Sequence, residues 1–163
     1  MSRAAGLGPA LTLALFVFLA DQGLKRNIEG SMRLGESTAL IPDVLRLTHI
    51  ENAGGAFGIL DERGGLLLLG SIIAVAFILG MLLQRPPDRV TTMGCGLILG
   101  GAAGNLLDRL TEGVVTDYLD LEFWPLEAWP VFNAADAAIV FGVLVLLLAA
   151  RRPEKASRRS AKS

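Results

Sequence analysis

The sequence predicts an all-α membrane protein with four transmembrane helices and a small extracytoplasmic cradle that contains β-structure. Of its 163 residues, 52% are hydrophobic and 19% are charged, which is too apolar for an ordinary small soluble domain. Four windows of about 20 residues, the length that lets a helix cross the hydrocarbon layer, hold one of the 15 basic and 16 acidic side chains. The windows are 4–20, 64–84, 90–107 and 131–150. This distribution excludes a disordered chain and a soluble nucleic-acid-binding protein, so no nucleic-acid partner is expected.

The positions of the positive charges predict how the chain lies in the membrane. Most Lys and Arg residues are concentrated in three short segments that a four-span topology places on one side. These segments are 1–3, 85–89 and 151–163. Because basic residues resist translocation, we expect both termini in the cytoplasm and the connections 21–63 and 108–130 outside. Residues 1–150 then form one four-span domain, followed by a basic cytoplasmic tail at 151–163.

The first window also has features of a cleavable signal peptide, because Arg3 precedes an apolar run that ends at Ala20. Phe18 occupies the −3 position of that cleavage site, where a small residue is required. Cleavage would also leave three spans and move the basic tail outside. We therefore expect the first span to be retained and to end at the polar cluster that begins at Asp21.

The connections between the spans are predicted to contain one short strand and two turns. Polar residues alternate with Leu45 and Leu47, the period-two pattern of a strand. A glycine-rich turn follows at 52–58. Residues 85–88 are predicted to form a tight inner turn, because consecutive prolines cannot continue a helix.

The third window is rich in glycine. Gly94-Cys95-Gly96 with the later glycines is an imperfect match to a phosphate-binding loop, which needs a preceding strand and a Lys-Ser/Thr ending that are absent here. Gly96, Gly100 and Gly104 are spaced by four residues and share one helix face. This spacing favours close helix packing within lipid.

Asp136 is the one charged residue within the windows. Its neighbours are small or apolar, and an ionised carboxylate inside a span costs about 2.5–3.5 kcal/mol on insertion scales. We expect it to be protonated in part or to share a proton with a partner. The alternative is an ordinary acid at a helix N-terminus, where Asn133 is available as the cap.

The predicted topology brings polar residues together at the outer boundary of the bilayer. Among the acids there, Asp117 lies in an apolar stretch, Asp120 looks more solvated beside Glu122, and Asp108 is expected to pair with the adjacent Arg109. Burial alone therefore favours Asp117 as the partner of Asp136. Two close carboxyl groups share a proton, and such a pair activates water to hydrolyse an amide.

The sequence lacks most of the residues that other classes of protease require. The sequence has no H-E-x-x-H motif, its single histidine, His49, cannot form a two-histidine zinc site, and its single cysteine, Cys95, lies inside a span. A serine–lysine pair would have to combine Lys25 with Ser31 or Ser37 in a loop. No metal or cofactor is expected.

Over nearly its whole length, the termini excepted, the chain resembles the bacterial lipoprotein signal peptidases, or signal peptidase II. The G-N-x-x-D-R element followed by V-x-D-[FY] and F-N-x-A-D, in that order on four spans, carries the resemblance. The matching elements are Asp21-Gln22 with Lys25, Asn52 to Gly58, Gly100 to Arg109, Val114 to Asp120 and Phe132 to Asp136.

The resemblance implies an aspartic endopeptidase of the bacterial inner membrane, with its active site at the outer face. Such an enzyme removes the signal peptide from prolipoproteins by cutting before a cysteine that carries diacylglycerol. Its expected partners are lipid-modified prolipoproteins, membrane lipids and inhibitors of the globomycin type. The family's catalytic residues correspond to Asp117 and Asp136. Its substrate contacts correspond to Asn52, Asn105, Arg109 and Asn133, and Asp21, Lys25 and Asp108 are expected to support the site.

The chain departs from the family pattern at Gly55, where alanine is usual, and at Ala137, where serine is common. Trp124 and Trp129 lie in a stretch that also differs; they are expected to anchor at the membrane interface, with substrate gating as the alternative.

Two other functions are open to such a chain. A proton-coupled transporter would use Asp136 but needs ionisable groups through the depth of the bundle, and a structural packing subunit leaves that acid unexplained.

Overall fold

The computed structural model describes residues 4–54, 64–84 and 88–151. It is mostly helical and carries one small antiparallel sheet, as the sequence predicts. In chain order the elements are α1 (Ala4–Ser31), β1 (Ser37–Ile41), β2 (Leu45–Asn52), α2 (Gly64–Gln84), α3 (Arg89–Thr111), β3 (Val115–Leu121), a 3₁₀ turn (Leu126–Ala128) and α4 (Ala134–Ala150). The predicted glycine-rich turn after residue 54 and the prolines of the predicted inner turn lie outside the described residues, as does most of the basic tail.

The glycine-rich helix α3 is the centre of the bundle, and α1, α2 and α4 pack against it. A Cβ atom at Gly100 would collide with the backbone of Ala14 in α1, and one at Gly101 would collide with the backbone of Ala135 in α4. The predicted use of glycine for close helix packing is thus confirmed, and it extends to two faces of α3. The apolar core beneath the sheet contains Ala10, Ala14, Ile78, Leu82, Cys95, Ile98 and Leu99.

Helix α1 is longer than the predicted first span. It does not end at Asp21 but continues to Ser31, which adds roughly 16 Å at 1.5 Å per residue. The segment after Asp21 has good helix formers, and Lys25 lies one turn beyond Asp21 and forms an ion pair with it. The prediction that this polar cluster belongs to a loop is therefore wrong, and the extension carries both side chains along the C-terminal turns of α3.

Three antiparallel strands lie in the order β1-β2-β3 at one end of the bundle, which we call the sheet end. β2 confirms the predicted strand and extends it to Asn52, while β1 and β3 were not predicted as strands. β1 is exposed along its whole length. β3 pairs with β2, placing Asp117 opposite Ile50, and Leu119 forms a bridge with Phe132. β3 was missed because its residues on both faces are buried or half-buried, so polar and apolar residues do not alternate cleanly.

Two other helix boundaries differ from the predicted windows. α3 continues one turn past residue 107, to Thr111. α4 begins at Ala134 rather than 131, because Phe132 pairs with β3 and Asn133 caps the helix. At the opposite end of α3, Asp88 is the N-cap, and its carboxylate accepts from the backbone N–H groups of Val90 and Thr91.

Two of the described helices are long and apolar enough to cross a membrane, Gly6–Ser31 and Arg89–Thr111. Two further apolar helices, Leu68–Leu83 and Ala134–Ala150, are shorter. Large apolar side chains point outward from the bundle, among them Phe16, Phe77 and Phe141. An apolar exterior over several helices is what contact with lipid requires and what a water-soluble bundle avoids.

Candidate active site

Asp117 is buried in the middle of the sheet end, with its side chain 1% exposed. Asn52 Nδ2, from the end of β2, donates to its Oδ2 at 2.8 Å, and Asn133 Nδ2 donates to its Oδ1 at 2.6 Å. The pKa of Asp117 is raised to about 6: burial is the largest cause, the two amide hydrogen bonds lower the pKa, and the negative charge of Asp136 raises it. Asp117 is therefore a carboxyl group that exchanges its proton near neutral pH.

Asp136 lies in the first turn of α4, at the sheet end of the helix. Its backbone N–H donates to Asn133 Oδ1 at 2.9 Å, and the backbone N–H of Asn133 donates back to Asp136 Oδ2 at 3.3 Å, which is a capping box. Its other oxygen, Oδ1, accepts from Asn105 Nδ2 at 2.8 Å. The interpretation of Asp136 as an acid at a helix N-terminus and its interpretation as half of an acid pair are thus compatible, because Oδ2 caps the helix while Oδ1 faces Asn105.

Two asparagine amides connect the carboxyl groups, which we call the acid pair (Asp117 and Asp136). Asn133 Nδ2 donates to Asp117 and lies 3.2 Å from Asn105 Oδ1, and Asn105 Nδ2 donates to Asp136. The orientation of the Asn105 amide is fixed from the other side, where Lys25 Nζ donates to its Oδ1 at 2.8 Å. Because an ammonium group can only donate, the oxygen of Asn105 must face Lys25 and its NH₂ group must face Asp136.

Lys25 is also the centre of a buried ion cluster, formed by Asp21, Lys25 and Asp108. The ammonium nitrogen of Lys25, 2% exposed, lies 2.7 Å from Asp21 Oδ2 and 2.6 Å from Asp108 Oδ2. Gln22 Nε2 donates to the second oxygen of Asp108 at 2.7 Å. Asp108 is expected to be a paired structural acid; its ion-pair partner is Lys25 rather than the adjacent Arg109. Residues next to each other on a helix point in different directions, whereas the extension of α1 brings Lys25 directly onto Asp108.

The ion cluster also holds α4 in place. Asp21 Oδ1 accepts from the backbone N–H of Ala135 at 3.0 Å, and Tyr118 Oη accepts from the backbone N–H of Ala134 at 3.2 Å. Both bonds satisfy N–H groups that the first turn of a helix leaves without partners. Burial raises the pKa of Tyr118, which stays a neutral hydroxyl. Its role was missed in the sequence, although its place in the V-x-D-[FY] element marks a position next to the site.

A cavity of about 210 Å³ opens beside the acid pair and is lined by both of its carboxyl groups. Asn52, Asn105 and Arg109 also line it, as predicted for substrate contacts. The guanidinium group of Arg109 donates to Asn105 O at 3.2 Å, and its charge acts on both acids. Asn133, by contrast, is fully buried and holds Asp117 from beneath the cavity.

The remaining sequence candidates lie outside this cavity. Asp120, considered as an alternative partner, is half-buried and accepts from Thr48 Oγ1 at 2.9 Å, away from the acid pair. Within the described ranges, no group of three His, Cys, Asp or Glu side chains is arranged to hold a metal ion. The apolar side of the cavity was not predicted. It is lined by Gly54, Val115, Trp129, Pro130, Val131, Phe132, Ile139 and Val140.

Solved structures place this fold among bacterial membrane enzymes. One such enzyme, solved by the in meso method at 2.3 Å, superposes with a TM-score of 0.84 at 26% identity and covers 96% of this chain and 95% of its own. A second, solved at 1.9 Å, gives a TM-score of 0.80 at 28% identity, with coverage of 90% and 95%.

Sequence comparisons identify the family. The family model described as signal peptidase (SPase) II matches residues 13–152. A lipoprotein signal peptidase of Halothermothrix orenii is 39% identical over 143 residues, which is 88% of this chain and 95% of the relative. One from Moorella thermoacetica is 42% identical over 139 residues, covering 85% and 89%. The chain belongs to the signal peptidase II family and is therefore a protease.

Proposed function

We propose that this protein is a membrane aspartic endopeptidase that removes the signal peptide from diacylglyceryl-modified prolipoproteins. It cuts the peptide bond just before the lipidated cysteine. The observation that carries this proposal is that the carboxyl groups of Asp117 and Asp136, which come from separate elements, line one cavity. The substrate class comes from the relatives, which are lipoprotein signal peptidases.

In the proposed reaction, one member of the acid pair is charged and the other is protonated, because two carboxylates in one cavity do not both ionise cheaply. The charged group accepts a proton from a water molecule as the water oxygen bonds to the peptide carbonyl carbon. The protonated group donates to the carbonyl oxygen. When the C–N bond breaks, the cysteine nitrogen takes the proton that came from the water, and one hydroxyl of the tetrahedral intermediate returns its proton to the other carboxylate. This releases a carboxylic acid and an amine and restores the one-proton pair. The mechanism needs no metal and no cofactor.

The other polar residues have two kinds of role in this proposal. Asn52, Asn105 and Arg109 line the cavity and bind the peptide backbone around the scissile bond. Asn133 positions both members of the acid pair rather than touching substrate, since it is fully buried. The ion cluster of Asp21, Lys25 and Asp108 supports the site by fixing Asn105 and the first turn of α4.

We further propose that all four long helices span the bacterial cytoplasmic membrane, within one domain over residues 1–150. Both termini and the basic tail at 151–163 then lie in the cytoplasm, and the sheet end lies at the outer face. The concentration of Lys and Arg in the segments 1–3, 85–89 and 151–163 of the sequence supports this orientation. The outward-pointing apolar side chains of α1, α2 and α4 support four spans rather than two.

The experiment is turnover of a synthetic diacylglyceryl-cysteine peptide by the purified full-length protein in detergent. We expect wild-type protein to cleave before the lipidated cysteine and globomycin to block the cleavage. Asp117→Asn and Asp136→Asn should each lower the rate by about 10²–10⁴-fold, because each removes one acid–base group. Asp120→Asn is the matched control, since this acid is on the same strand but outside the cavity. Retention of the wild-type rate in either of the first two variants rejects the acid pair.

A further inference from the structure

The cavity beside the acid pair has two unlike sides, and hydrolysis uses only one of them. The polar side carries the carboxyl, amide and guanidinium groups described above. The opposite side is apolar and is formed by the segment that leads into α4, including Trp129 and Val131, and by Ile139 and Val140 of α4 itself. Because activation of water and recognition of a peptide backbone require polar groups, this apolar wall indicates that the ligand also has an apolar part.

The apolar wall is attached firmly to the strand that carries Asp117. The backbone N–H and C=O of Phe132 pair with Leu119, at 3.0 Å and 2.7 Å. The N–H of Trp129 donates to Leu126 O at 2.9 Å, which closes the 3₁₀ turn. Trp129 is thereby held at the rim of the cavity with 45% of its surface exposed, whereas Trp124 in the same segment is 81% exposed and does not line the cavity.

The apolar wall continues along one face of α4 away from the sheet end. Val140, Val143 and Leu147 follow one another at helical spacing and are each about half exposed. We call them the α4 track. Its far end enters a second, almost wholly apolar groove of about 520 Å³, which Val143 and Leu147 line together with Met81 of α2. A continuous apolar surface therefore runs along the outside of the bundle, from the acid pair toward the far end of α4.

The chemical structure of the proposed substrate indicates which part of it lies on this apolar surface. The diacylglyceryl group hangs from the residue directly after the scissile bond, so its glycerol must lie close to the acid pair during cleavage. Its acyl chains must then leave the cavity without entering water, because each buried methylene is favoured by about 0.8 kcal/mol. The apolar wall and the α4 track provide such an exit, whereas the peptide itself needs the polar side.

We propose that Trp129 and the α4 track bind the acyl chains on the substrate cysteine, with Trp129 as the residue that determines specificity for long chains. The inference rests on the proposed function. Trp129 suits this place because its large ring offers an apolar face at a boundary between lipid and water. It contacts the ligand near the glycerol, and the track carries the chains toward the second groove.

The test compares two diacylglyceryl-cysteine peptides, one with long and one with very short acyl chains, at fixed mole fraction in mixed micelles. Trp129→Ala should raise KM for the long-chain peptide about tenfold, with kcat and the short-chain KM changed less than about twofold. Trp129→Phe, which keeps an aromatic ring, should retain most of the chain-length preference. Trp124→Ala, the matched control outside the cavity, should behave as wild type with both peptides.

A second pair of variants tests the track with neighbouring residues of the same type. Leu147→Ser should raise the long-chain KM by about threefold, because it places a hydroxyl on the track, while Leu148→Ser, equally lipid-exposed but off the track, should not. The proposal is overturned if Trp129→Ala affects both peptides equally or neither, or if the two leucine variants match. If wild-type protein cleaves neither peptide, the proposed function fails instead.

Discussion

The sheet end holds four aspartates, three of them buried and Asp136 half-buried, in two neighbouring groups that accommodate negative charge in different ways. In the ion cluster, Asp21 and Asp108 share the ammonium group of Lys25 at 2.7 Å and 2.6 Å. In the acid pair, Asp117 and Asp136 accept hydrogen bonds from neutral asparagine amides. A cation holds a carboxylate in its charged form, while an amide satisfies its oxygens without neutralising it.

This difference suits the two groups to different roles, the ion cluster to holding helices together and the acid pair to the proposed reaction. The ion cluster joins α1 to α3 and α4. The acid pair is suited to proton exchange, because the pKa of Asp117 is raised to about 6, chiefly by burial, and no ammonium group of the described residues contacts its oxygens. Asn105 is the link between the two groups, since its oxygen faces Lys25 and its NH₂ group faces Asp136.

The largest effect should follow from removing the cation. Lys25→Met leaves two buried carboxylates without their partner, and we expect it to lower the free energy of unfolding by about 3–5 kcal/mol. Asp117→Asn should lower stability in detergent by less, since it removes a buried charge, although one of the two donating amides then faces an NH₂ group in place of an oxygen. Thermal unfolding of both purified variants checks the contrast. Equal losses would show that the two groups of acids do not differ.

Changing Asn105, which links the two groups of acids, should have the next largest effect. Asn105→Asp keeps an oxygen for Lys25 but replaces the donor to Asp136 with a negative charge. A hydrogen bond to a charged group contributes about 1.5–3 kcal/mol, so we expect kcat/KM to fall by about 10- to 100-fold. The melting temperature should change little, because Lys25 gains an anion. A variant that loses stability but keeps the specific activity of its folded fraction would contradict this role for Asn105.

Reasoning from the residues themselves paired Asp117 with Asp136, whereas Asp21, Lys25 and Asp108 were grouped only through the family resemblance and their mutual contacts were not predicted. The reason is physical. The cost of a charge in an apolar segment is local, so the neighbours of Asp136 and Asp117 already identify them as unusual. The partner of a buried lysine depends instead on the tertiary structure. Lys25 contacts Asp108, 83 residues away in the sequence, only because α1 continues past the predicted end of the first span. Trp129 was assigned to the membrane interface for the same reason, since its place on the cavity depends on the pairing of Phe132 with β3.

The pH dependence of kcat/KM should report the titration of the acid pair. Because the pKa of Asp117 is raised to about 6, this carboxyl keeps its proton below that pH and loses it above. In the proposed mechanism the one-proton form of the pair is the active one, so kcat/KM should fall as the pH rises through about 6, by up to tenfold per pH unit. It should fall again at acid pH, when both groups are protonated. A rate that is constant between about pH 4 and 9 would contradict a shared proton.

The smallest expected effect is on the titration of Asp117 itself when its neighbour is neutralised. The charge of Asp136 is one of the causes that raise the pKa of Asp117, and burial is the larger one. Asp136→Asn removes the repulsion but leaves the burial, so the pKa of Asp117 should fall and still remain above its ordinary value near 3.8. Difference infrared spectroscopy of protein with ¹³C-labelled aspartate carboxyls follows this titration directly. Asp108→Asn is the informative control, because it alters the ion cluster and should move the Asp117 titration less. If the two variants move it equally, the two groups of acids form one electrostatic unit rather than two.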